Sequence, residues 1–162
     1  MDPISGERVG AYASITQELL ALWGHMEQPI APVEMSAVVL GVFHILAKRP
    51  MWKGRDFVWY EDNAVVLSAM VSGRSRSAKL DIAAMVVHLA LAMLNCRVWF
   101  EYVESNANWM DEASRVEEGG PWAQRNGLSM SQAKVPLWPW QGPVAGIMER
   151  VHTRLGITGV AI

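Results

Sequence analysis

Phe57-Val58-Trp59-Tyr60-Glu61-Asp62-Asn63 opens the stretch on which the fold turns, and Ser105-Asn106-Ala107-Asn108-Trp109-Met110-Asp111-Glu112-Ala113-Ser114-Arg115 closes it. The first segment reads as a short buried aromatic strand, Asp56–Glu61, that ends in a carboxylate. Asn63 suits a helix N-cap, and Val65, Val66, Ala69 and Met70 follow at helical spacing as far as Gly73, a C-terminal stop. A second helix is expected from Ala78 to Leu94, a strand over Arg97–Val103, and a short helix over Trp109–Arg115. One carboxylate therefore stands at a strand end and another on a helix nearly fifty residues later. Metal-dependent nucleases need acidic ligands delivered to one point from separate elements in this way.

Upstream, Val33, Ala37, Leu40, Val42 and Ile45 give a broad apolar helical face that starts near Pro32, carries Glu34 and runs to about Lys48 before Pro50 stops it. Val9, Ala11 and Ala13 alternate as a strand would. Leu20, Leu22 and Trp23 read as a partner strand over 18–25 or as a helical turn. Downstream of Gly119-Gly120-Pro121 the prolines Pro121, Pro136, Pro139 and Pro143 interrupt the chain among Trp122, Trp138 and Trp140. That segment reads as an irregular appendage draped over the core, with a last helix within Val144–Leu155. The expected organisation is one domain over 1–118 followed by the appendage 119–162.

The chain has 162 residues, half of them hydrophobic, with eight tryptophans, which favours a packed globule over disorder. A net charge of −2 leaves no global attraction to nucleic acid, so such binding has to rest on a local patch. Cys96, the single cysteine, reads as a buried thiol in a reducing, intracellular compartment. The apolar runs Met35–Ala47 and Ile82–Leu94 are too short to span a bilayer, and no membrane partner is expected. Their histidines, His44 and His88, read as core residues without metal spacing.

The combination Val58-Trp59-Tyr60-Glu61-Asp62-Asn63, Val98-Trp99-Phe100-Glu101-Tyr102-Val103 and Glu104-Ser105 through Ser114-Arg115 resembles the ribonuclease H domain that follows the reverse transcriptase of retroelements. The resemblance covers roughly two-thirds of the chain. It implies an α/β fold: a ribonuclease H-like mixed sheet flanked by helices. It also implies hydrolysis of the RNA strand of RNA–DNA hybrids with two Mg²⁺ (or Mn²⁺) ions, with an upstream reverse transcriptase domain as a further partner. Carried over position by position, Glu34, Asp62 and Asp111 match the second, third and fourth catalytic and metal-binding carboxylates. The first, borne by the central strand of the family's sheet, has no match, since Asp2 follows no strand. The chain is thus expected to be an N-terminally truncated domain with impaired activity.

Each candidate has a plainer reading. Glu34 also suits the positive end of a helix dipole, Asp62 a turn, and Asp111 an exposed helix face. Glu61 is set aside, because strand alternation points it away from Asp62. Asn63 serves as a cap, as a contact to the substrate backbone, or both. Arg74, Arg76 and Lys79 form the densest basic cluster. With Arg115 they are the candidate phosphate contacts, against a solvated loop as the alternative. Two rivals to the enzyme stand beside it: a non-catalytic ribonuclease H-like remnant with a structural or nucleic-acid-tethering role, and an unrelated small α/β protein.

Overall fold

The computed structural model describes residues 6–24, 29–108, 110–114, 119–141 and 144–157. The chain is a mixed α/β protein. It begins with strand β1 (Val9–Tyr12) and helix α1 (Gln17–Trp23), followed by α2 (Ile30–Leu40), which continues without a break into a π-helical turn, Gly41–Leu46. Next come β2 (Asp56–Glu61), α3 (Ala64–Ser72), α4 (Ala78–Met93) and β3 (Arg97–Tyr102). Short helices α5 (Asp111–Ser114) and α6 (Gly119–Arg125), strand β4 (Ser129–Gln132) and helix α7 (Ile147–Leu155) complete the order.

The middle of the chain follows the sequence closely. Asn63 is a true N-cap: its Oδ1 accepts from the backbone N–H groups of Val65 and Val66 at 3.0 and 3.2 Å. Such a cap contributes about 1 kcal/mol. Gly73 ends α3 in the left-handed region, at φ 68°. β2 and β3 then pair in parallel, Asp56 opposite Arg97 through Glu61 opposite Tyr102, with α3 and α4 forming the long crossover that parallel strands require. Asp56 and Arg97 also form a two-pronged ion pair at 2.7 and 2.9 Å on the exposed rim.

Several expectations are corrected. Gln17–Trp23 is a helix, capped by Thr16 Oγ1, so the helical alternative holds and the partner-strand reading of 18–25 fails. Leu19 and Trp23 lie one turn apart and are both buried, a helical repeat that the alternation reading overlooked. β1 pairs instead with β4, in parallel, Val9 opposite Ser129. Among the described residues the strands form two separate parallel pairs in place of one mixed sheet. Nor is β2 wholly buried. Phe57 and Trp59 face the helices, while Val58 and Tyr60 of β2 and Trp99 of β3, 69% exposed, lie on an open face.

The described residues after 119 form more regular structure than an irregular appendage. They supply β4 and α7, and Trp140, Ile147, Val151 and Leu155 join the same buried cluster as Met35 of α2 and Val86 of α4. Trp140 packs edge-on against Trp23, ring centroids 5.9 Å apart. Cys96 is buried as expected. His88 is partly buried, its Nε2 2.7 Å from the Met70 carbonyl. His44 is not a core residue: its ring lies at the surface between Ser131 and Lys48. No helix among the described residues is long and apolar enough to cross a membrane.

Candidate metal centre

Glu34 sits on the second turn of α2, because the helix begins at Ile30, two residues before Pro32. A first-turn dipole role therefore does not account for it. Asp62 follows the last residue of β2, in the turn that leads into α3. The fold brings these two carboxylates together with a third, Glu61. One oxygen from each of Glu34, Glu61 and Asp62 lies within 4.8 Å of the others.

Glu61 is the residue that the sequence reading excluded, and the reason is geometric. Alternation along β2 puts Glu61 on the same face as Phe57 and Trp59, toward the helices and toward Glu34. Asp62 would point the opposite way only if the strand continued. It does not: the backbone N–H of Asn63 donates to Glu61 Oε1 at 3.2 Å, and this tight turn swings Asp62 back to the same site. The parity of Glu61 with Phe57 and Trp59 was the available signal.

Glu61 is only 6% exposed. Burial pushes its carboxyl up to about 7, and the Glu34 and Asp62 charges push in the same direction. The Asn63 N–H and the Trp59 side chain, hydrogen-bonding to the carboxylate, oppose this. Burial also raises Glu34, followed by the charges of Asp62 and Asp111. Asp111 therefore acts electrostatically on the cluster, although it is not one of the three residues whose oxygens converge within 4.8 Å. Three carboxyl groups at such separations cannot all ionise cheaply without a counter-charge.

A hard divalent cation is the natural counter-charge, since the donor set is all oxygen, with neither imidazole nor thiolate. With its carboxyl near 7, Glu61 holds a proton for part of the time at neutrality, so cation binding would release it. The acidic triad can in this sense hold a metal ion.

The candidate phosphate contacts are placed less closely. Asn63 is at the site, committed through its side chain to capping α3. Arg74 and Arg76 are exposed in the loop beyond the far end of α3, about 13 Å of helix away. Lys79 is turned toward the core-side backbone, its Nζ donating to the Trp140 carbonyl at 3.4 Å. Arg115 lies outside the described residues, as does Trp109 at the expected start of α5. Asn108 shapes the turn before α5, its Oδ1 accepting from the Met110 N–H at 3.3 Å.

No protein-family model, curated protein or solved structure matches the chain.

Proposed function

We propose that the chain is a ribonuclease H-like domain of a retroelement polyprotein, acting on the RNA strand of RNA–DNA hybrids with Mg²⁺ or Mn²⁺. The observation that carries this reading is the convergence of Glu34 and Asp62 with Glu61 at the C-terminal end of a parallel strand. The parallel pairing of β2 with β3, and the reach of the Asp111 charge to Glu34, support it.

Bound cations would supply an activated water and neutralise the charge that develops on the leaving oxygen. Glu34 and Asp62 would hold the cation, and Glu61 would add a third carboxylate, giving up its proton as it did so. Asp111 adds negative charge from α5, and Asn63 keeps Asp62 fixed at the mouth of α3. Arg74 and Arg76 offer phosphate contacts at a distance from the cluster.

The non-catalytic, nucleic-acid-tethering reading has one specific support, the exposure of Arg74 and Arg76 away from the carboxylate cluster. A cleavage assay on an RNA–DNA hybrid separates the two. Slow, Mn²⁺-stimulated cutting of the RNA strand is expected, reduced at least about a hundredfold in Asp62→Asn, in the range seen when a positioned catalytic group is removed. A chain that binds the cation and leaves the hybrid intact would support the tethering role.

A further inference from the structure

Away from the carboxylates, a surface depression of about 170 Å³ is lined by Phe43, His44, Lys48, Lys134, Trp138 and Arg154, with no acidic residue among the described residues of its wall. Its cations come from three places: the π-helical turn and the residues just after it, the loop following β4, and α7. Lys48, Lys134 and Arg154 form no salt bridge with the described residues, whereas Arg49 next door pairs with Glu7 and Arg97 with Asp56. Unmatched like charges gathered in one hollow repel one another, and an anion relieves that repulsion.

The hydrogen bonds around His44 set its protonation. Lys48 Nζ donates to Nδ1 at 3.1 Å, which places the ring proton on Nε2, 3.1 Å from Ser131 Oγ. Ser131 Oγ in turn donates to the Gly10 carbonyl at 3.4 Å. His44 is thereby held neutral, and burial together with the Lys48 and Arg49 charges lowers its pKa. The ring tethers the Lys48 ammonium at the rim and links the π-helical turn to the β1–β4 pair. Phe43 and Trp138 close one side edge-to-face, ring centroids 5.4 Å apart.

We propose that this hollow is an anion site for a phosphate monoester group. Three formal cations suit a dianion better than the single charge of an internal phosphodiester. The volume is well below the several hundred Å³ of a site that encloses a whole cofactor-sized ligand, so the phosphoryl group enters and the rest of the molecule lies outside. From Glu34 to His44 is ten residues, about 15 Å of helix, so the site is distinct from the carboxylate cluster. It does not depend on the nuclease reading.

The test follows the His44 ring signals of the full chain by heteronuclear NMR during titration with inorganic phosphate at constant ionic strength. Saturable shifts are expected, with affinity weakened about tenfold each in Lys134→Ala and Arg154→Ala and unchanged in Asp62→Asn. Both cationic side chains are exposed, so their removal spares the core. Adenosine 5′-monophosphate should bind and adenosine should not, and an oligonucleotide lacking terminal phosphates should bind more weakly than the monophosphate. Shifts reproduced by chloride, equal binding of adenosine, or tighter binding of the unphosphorylated oligonucleotide would each overturn the assignment.

Discussion

Glu61→Gln is expected to raise the melting temperature of the metal-free protein by about 6 °C at about pH 8 and to leave it unchanged at about pH 4. The folded-state carboxyl of Glu61 is raised from 4.5 to about 7. A group raised in this way contributes its full stability below its unfolded value and loses it as pH climbs through its folded one. Between those limits the metal-free fold therefore weakens by about 2 kcal/mol once partial solvent screening is allowed for. Glutamine keeps the size of the side chain and the oxygen that accepts from the Asn63 N–H, while removing the charge that burial, Glu34 and Asp62 oppose. Thermal denaturation of both proteins across that pH range checks the claim. A gain that does not depend on pH would mean that the charge of Glu61 is not the source.

Divalent cations should reverse the sign of these effects. At a concentration one hundred times the dissociation constant, Mg²⁺ or Mn²⁺ is expected to stabilise the protein by about 2.7 kcal/mol, or about 8 °C in melting temperature. Asp62→Asn should be more stable than the parent without metal, because one of three crowded charges is gone, and should lose most of the cation-dependent gain. The same cation gain in both proteins would place the binding elsewhere.

The legible part of the fold was the part whose signals are local. The strand Asp56–Glu61, the Asn63 cap, the Gly73 stop and the limits of α4 and β3 each rest on a few neighbouring residues, and all appear in the structure within a residue or so. Pairing was not legible. Ser129-Met130-Ser131-Gln132 is short and polar, with nothing in its composition to mark a strand, and it is a strand because β1 lies beside it. α1 stayed ambiguous because Leu20 and Leu22 suggest alternation, whereas burial follows Leu19 and Trp23, as the helical alternative requires.

At the site, Glu34 and Asp62 were carried over from the family resemblance, and they do converge. Glu61 was missed because the alternation rule was carried one residue beyond the end of its strand, into a turn where it no longer holds. His44 was assigned to the core from its apolar neighbours. The π-helical turn, which no local pattern announces, sets it instead beside Ser131 and Lys48.

The most direct test of the metal centre is titration of the isotope-labelled protein with Mn²⁺, read as paramagnetic broadening of its side-chain carboxyl and backbone amide signals. Broadening is expected to begin at Glu34, Glu61 and Asp62 at the lowest Mn²⁺ additions, to spread next to Asp111, and to disappear at those positions in Asp62→Asn. Broadening that starts at other acidic residues, or spreads evenly over the exposed ones, would contradict it.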